Sequence, residues 1–188
     1  LAALLCSRVC HDIISPVGAI NNGLELLDEG GADEDAMKLI RQSARNASAR
    51  LQFARIAFGA AGSAGMMIDT GDAEAVAIAF LKNEKPELTW TGARALLPKN
   101  KVKLLLNMLV IAQQTIPRGG VLTVDPVGEG DAAGFRVAAS GLNARMPQNI
   151  ADLLAATHAG GVDAHAVQPY YTRLLAQACG LNVVLAPE

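Results

Sequence analysis

Aromatic side chains are scarce in this chain, with Phe, Trp and Tyr together making up 4% of 188 residues, and the net charge is only -2. A nucleic-acid surface needs a concentrated basic field and often stacking rings, so nucleic acid is excluded as the main partner. Cysteine is sparse as well. Three residues, an odd number, fit reduced thiols better than a disulfide framework. No apolar run approaches the length of a membrane span. The opening Leu1-Ala2-Ala3-Leu4-Leu5 runs into Arg8 without a basic leader or a small-residue cleavage pattern. The expectation is a cytoplasmic protein with no membrane partner.

Metal-ligand patterns are missing too. Cys6, Cys10 and His11 are spaced one residue too widely for haem attachment, and the two cysteines share a helix face with apolar neighbours. His158 and His165 flank Ala159-Gly160-Gly161 without carboxylate or Cys at ligand spacing, and read as loop histidines. No bound metal is expected.

What is present is a foldable globular composition, 51% hydrophobic and 18% charged, long enough for one medium domain or two small ones. Its most informative stretch is Cys10-His11-Asp12-Ile13-Ile14-Ser15-Pro16. Leu5, Val9, Ile13, Ile20, Leu24 and Leu27 recur at the spacing of one helical face, and His11 lies roughly 200° of arc from Val9. His11 therefore points to solvent. A carboxylate next in sequence can swing toward one ring nitrogen, fix the tautomer and take its proton, leaving the other nitrogen as a nucleophile toward phosphorus. Asp12 is the candidate base.

Pro16 removes the hydrogen bond its own N–H would have made to the Asp12 carbonyl and bends the turn carrying His11. Ser15 and Gly18 continue the His11 face with little bulk, while Arg8, Asn22 and Glu25 make its polar border. Arg8 either meets phosphoryl charge or is an ordinary solvated side chain. Another protein could approach this face closely, sitting against Ile14, Ser15, Gly18, Asn22 and Glu25 with the second helix alongside. Ile14 lies roughly 60° from His11 on the outward half of the helix, where an apolar side chain is better explained by a protein contact than by a core.

The first helix is expected to run to about Leu27, broken by Asp28-Glu29-Gly30-Gly31, and Asp33 can cap a second helix from near Glu34. In that helix Met37, Ile40, Ala44, Ala47, Leu51, Ala54 and Phe58 alternate spacings of three and four, a heptad seam. An antiparallel hairpin of this kind most simply dimerises into a four-helix bundle. Lys38, Arg41, Arg45 and Arg55 form a basic stripe off the seam, either a plain solvated face or a landing strip for an acidic partner.

Gly59 through Gly71 reads as a linker, dividing a hairpin unit (1–60) from a second unit (61–188). The second unit is read as helices at 72–81, 99–115, 149–157 and 169–179, with strands at 88–91, 121–124, 135–138 and 182–185. That is an α+β sandwich with helices on one face of a mixed sheet.

This order, a His-bearing hairpin followed by an α/β sandwich, resembles sensor histidine kinases over essentially the whole chain. His11-Asp12-x-x-Ser15-Pro16 resembles their phosphoacceptor box, and Leu106 through Val121 resembles their nucleotide-binding asparagine box. The position that supplies the magnesium-holding Asn is Ile111 here, and the following basic residue is Gln114. The adenine-reading Asp is replaced by Ala139, which cannot accept that hydrogen bond. The glycine-rich phosphate loop is replaced by His165-Ala166-Val167-Gln168-Pro169-Tyr170-Tyr171. The resemblance thus implies a degenerate ATPase-like sandwich and no ATP.

The opening, Leu4 through Glu25, closely resembles the alphaproteobacterial histidine phosphotransferases. That resemblance implies a homodimer relaying phosphoryl groups between receiver domains in cell-cycle control, from a CckA-like hybrid kinase to CtrA-like and CpdR-like regulators. The catalytic residues are expected to be His11 and Asp12, supported by Arg8, Ser15 and Pro16. Receiver docking is assigned to Ile14, Gly18, Asn22, Glu25 and Arg41. Mg2+ is expected to come with the receiver, because Asp12 is the one carboxylate beside His11. The rival readings are a silent pseudokinase that sequesters a kinase or regulator, and an ATP-dependent kinase with divergent boxes.

Overall fold

The computed structural model describes residues 1–30, 33–59, 66–128, 134–164 and 166–186. His165, Gly31 and residues 60–65 of the expected linker lie outside these residues, and the side chain of Asp33, the expected helix cap, is not described.

Helix α1 (Ala2–Asp28) runs through Pro16 and ends where Gly30 turns left-handed at φ 73°. Helix α2 (Asp33–Ala57) returns against it. The buried contact is made by Pro16 and Gly23 on α1 and by Ala36, Ser43 and Ala47 on α2. A Cβ at Gly23 would lie 2.6 Å from the Ile40 side chain, so glycine is what lets the helices approach there.

The expected seam therefore splits. Ala47 is buried, but Ala44 and Leu51 face solvent, as do Leu24 and Val17 on α1. The residues that pack the hairpin are one step out of phase with those that remain uncovered, so a single three-and-four spacing merged two adjacent stripes.

Strand β1 (Met67–Asp69) pairs antiparallel with β3 (Leu96–Pro98). Neither strand was foreseen. Helix α3 (Thr70–Leu81) follows β1 directly, two residues earlier than expected, because Asp69 accepts from the Gly71 N–H at 2.7 Å and caps it. Gly71 thus belongs to a helix rather than to the linker. The main sheet has β2 (Pro86–Trp90) parallel to β4 (Gly120–Val127), which is antiparallel to β5 (Gly134–Ser140). It is mixed, as expected. Gly120 opens β4 at φ 140°, where a Cβ would run into the Ser140 carbonyl.

Helix α4 (Lys99–Thr115) is central. Val102, Leu105, Leu106 and Leu109 pack with Leu122 and Val124 of β4, and with Phe53 and Ala57 from the end of α2. The hairpin and the second unit therefore share one core. On other faces of α4, Leu104 meets Leu175 and Ala176 of α6 (Val167–Ala178), while Ile111 meets Ile150 and Leu154 of α5 (Gln148–Leu154).

Two ends of elements differ from expectation. Helix α5 stops at Leu154 rather than Thr157, since Ala156 is left-handed at φ 62° and the Thr157 N–H turns back to the Asp152 carbonyl. Residues 182–185 form no strand: Val183 packs against α4, α5 and α6 side chains while Val184 is 83% exposed. Alternation there reflects packing of one side chain, without a ladder partner.

The membrane expectation also needs correcting. Helix α1 is long and apolar enough to cross a bilayer by length and composition alone, with a mean hydropathy of 1.3. Ala- and Leu-rich turns before Arg8, and Ile13, Ile14, Val17 and Ile20 after Asp12, raise the average without giving one unbroken apolar run.

Candidate active site

The His11 side chain is 79% exposed on the middle of α1. Its Nδ1 lies 3.5 Å from Asp12 Oδ1, a long contact that turns one ring nitrogen toward the carboxylate and leaves Nε2 for solvent. The other Asp12 oxygen, Oδ2, accepts from Arg8 Nε at 3.1 Å, one turn back on the same helix. Arg8 is thus neither a solvated side chain nor a free cation beside the imidazole. It is the partner of Asp12.

Both members of that pair are about three-quarters covered. They line a cleft of about 20 Å³ together with Val9, Ile13, Arg50, Phe80, Val110 and Gln168. The lining therefore draws on both the hairpin and the second unit.

The residues expected on the docking face are placed as follows. Ser15, Asn22, Glu25 and Arg41 are exposed, and Ile14 is 71% exposed. A Cβ built on Gly18 would meet nothing within 4 Å. Pro16 differs: it is buried in the hairpin, so it shapes the helix pair from within and does not present itself beside His11.

Cys6 and Cys10 are free and exposed, and the Cys10 thiol is held above its ordinary range chiefly by a hydrogen bond with Cys6. Among the described residues no group of three His, Cys, Asp or Glu side chains could hold a metal. His158 lies in irregular chain after α5, with its N–H on the Asp152 carbonyl.

Two polar groups that matter here went unnoticed in the sequence. Arg50 extends the buried stripe Ala36, Ser43, Ala47 by three residues, so a charged side chain at an inward position was the available signal. Asn107 sits in the segment resembling a nucleotide box, yet its amide donates to the carbonyls of Ala57 (3.0 Å) and Lys103 (2.8 Å) and its oxygen accepts from Gln168 (2.6 Å). Lys103 Nζ donates to the Gly59 carbonyl at 2.7 Å, and burial pushes its pKa down. These groups satisfy the open carbonyls at the end of α2 and fasten the hairpin to α4.

An exposed histidine with a paired carboxylate, on a helical hairpin fastened to an α/β unit, is found here on a chain that belongs to the histidine phosphotransferase family. Residues 70–188 match that family's C-terminal domain. Among individual relatives, the chain is 64% identical to "Protein phosphotransferase ChpT" of Brucella abortus (strain 2308), over 97% of this chain and 88% of that protein. A solved structure described as "1.7 Angstrom Structure of a Bacterial Phosphotransferase" matches with a TM-score of 0.92 and 60% identity, covering 100% of this chain and 90% of that one. The protein is a protein phosphotransferase, and its place is in a phosphorelay.

Proposed function

We propose that His11 is the phosphoryl acceptor and donor of this relay. A phospho-Asp receiver docks beside α1, Nε2 of His11 attacks phosphorus in line, the P–O bond to the receiver carboxylate breaks, and phospho-His11 later passes the group to a second receiver Asp. The observation that carries this reading is the geometry at His11: an exposed ring whose Nδ1 faces a carboxylate fixed by Arg8. Asp12 orients the imidazole and takes its proton. Arg8 holds Asp12 in place, so its own role is positioning. Transfer of this type depends mainly on alignment and charge neutralisation.

Ile14, Ser15, Gly18, Asn22 and Glu25, with Arg41 on α2, form the receiver-docking face. Mg2+ comes with the receiver, because Asp12 stands alone at His11 with one oxygen already engaged. ATP takes no part. The fold of 61–188 is read as a degenerate kinase ATPase sandwich, and its residues do not fit a nucleotide. Ile111 is buried in an apolar cluster with Ile150 and Leu154, Ala139 offers no side-chain acceptor, and Pro169 occupies the first turn of α6.

The hairpin, residues 1–60, is read as half of a homodimeric four-helix bundle. The uncovered apolar side chains Val17, Leu24 and Leu51 support this. The working compartment is the cytoplasm. The upstream partner is a CckA-like hybrid kinase, and CtrA-like and CpdR-like regulators of the cell cycle lie downstream, as the resemblance of the opening segment implies.

The test is transfer from a phosphorylated receiver domain to wild type and to His11→Ala, with light scattering on wild type and Leu51→Asp. Wild type should accept phosphate as a dimer, His11→Ala should accept none, and Leu51→Asp should lose the dimer. Label on the His11→Ala variant would overturn the acceptor, and a monomeric wild type at micromolar concentration would overturn the bundle.

A further inference from the structure

We propose that the cavity at one end of the main sheet binds a small apolar molecule, about the size of one six-membered ring, that carries a carbonyl-type oxygen. The cavity measures about 160 Å³. Trp90 at the end of β2, Val124 on β4 and Phe135 at the start of β5 line it from the main sheet, and Leu97 of β3 lines it from the two-stranded sheet. Protein interiors hold few voids larger than a water molecule, so a space of this size in a packed unit calls for an occupant. An apolar cavity of about 150 Å³ stays dry and takes up benzene. This one is therefore sized for a single ring. It is separate from the place marked by the resemblance to nucleotide boxes, because Ala139 pairs with Leu122 while Phe135 pairs with Pro126, about 13 Å away at the usual rise of a strand.

The polar groups in the lining say what the molecule carries. Thr70, at the start of α3, is 4% exposed, and its hydroxyl oxygen accepts from the Ala95 N–H at 2.9 Å. Among the described residues nothing accepts the Thr70 hydroxyl proton or the Trp90 indole N–H. A buried donor without an acceptor is costly, and an oxygen on the ligand removes that cost. A carbonyl oxygen has two lone pairs and can accept from either donor or from both. The charged residue in the lining is Lys101, on the first turn of α4, and among the described residues no carboxylate joins it there. Donors thus outnumber acceptors among the side chains of the wall.

Gly92 provides a way to fill the space. A Cβ there would lie 3.5 Å from Trp90 Nε1 and 3.5 Å from Pro126 Cδ, ordinary contact with two residues of the lining. The substitution Gly92→Leu is therefore accommodated at its Cβ, and the rest of the side chain competes with a ligand for the cavity. Trp90 is the one tryptophan of the chain, so its indole N–H reports on the site as a single signal.

The experiment titrates the full chain with cyclohexanone, and separately with methylenecyclohexane, which has the same shape without the oxygen, and follows the Trp90 indole and the Leu97 and Val124 methyls by NMR. Cyclohexanone should shift these signals saturably, with a Kd of about a millimolar. Gly92→Leu should abolish the binding of both compounds. Thr70→Val should weaken cyclohexanone about fivefold relative to methylenecyclohexane, the effect of one lost hydrogen bond. If Thr70→Val does not fold, Trp90→Phe removes the other donor and gives the same comparison through the methyls. No saturable shift in wild type up to about 20 millimolar would overturn the site, as would binding that survives Gly92→Leu. Equal weakening of both compounds, or of neither, by the donor variant would overturn the oxygen-bearing class of ligand.

Discussion

The hairpin and the C-terminal unit treat polar and apolar side chains in opposite ways. On the hairpin a histidine stands 79% exposed, and Ile14, Val17, Leu24 and Leu51 are left uncovered. In the C-terminal unit Asn107, Gln168, Thr172 and Lys103 are buried, and each makes a hydrogen bond to another buried group or to the end of α2. One unit leaves its histidine and several apolar side chains open to solvent. The other has turned polar groups inward as fasteners and buries Ile111 in an apolar cluster with Ile150 and Leu154. The difference sets an open hairpin surface against a C-terminal unit whose polar groups are turned inward.

The comparison breaks most sharply at Asp12. Replacing it with Asn should slow phosphotransfer by about 10²–10⁴-fold, the usual cost of a lost general base, with receiver affinity nearly unchanged. Stopped transfer assays and calorimetric binding separate the two, and an equal loss of both would make Asp12 a docking residue. In the other unit, Ile111→Asn places a polar amide inside an apolar cluster. Thermal or urea unfolding should show a loss of about 1–3 kcal/mol, with no labelling from ATP. Labelling gained by that single change would erase the contrast between the units.

Smaller effects sharpen the picture of the open surface. Ile14→Asp and Gly18→Lys should each raise the receiver dissociation constant about tenfold or more, as for a central contact in an interface, while the dimer persists. If both bound receivers like wild type, docking would have to move to the C-terminal unit. The smallest effect concerns Lys103. Burial holds its pKa below the ordinary 10.5, so the folded chain releases that proton at lower pH than the unfolded chain. Its burial penalty is therefore present at neutral pH and is relieved as pH rises toward 10.5. Urea unfolding should show that alkaline gain in wild type and lose it in Lys103→Met. Identical pH dependence in the two would remove Lys103 from the list of costly fasteners.

Much of this was legible in the sequence, and the misses have physical reasons. The long periodic helices α1, α2 and α4 and the exposure of His11 follow from apolar spacing, which is strongest over many turns. β1 and β3 were missed because three residues carry no usable alternation, and they exist through pairing with each other. The pairing of Arg8 with Asp12 lay at helical spacing of four, within reach of sequence reasoning, but it competed with a plausible solvated role. Arg50 and Glu84 are 34 residues apart, and no local pattern brings them together.

The most direct measurement locates the phosphoryl group. Protein incubated with a phosphorylated receiver, and separately with ATP, would be examined by phosphorus NMR and by mass spectrometry of acid-labile phosphopeptides. A single phosphohistidine at His11 after exposure to the receiver, and no phosphorylation after ATP, is the expected result. Phosphate at any other residue, or at His11 from ATP in the isolated protein, would contradict it.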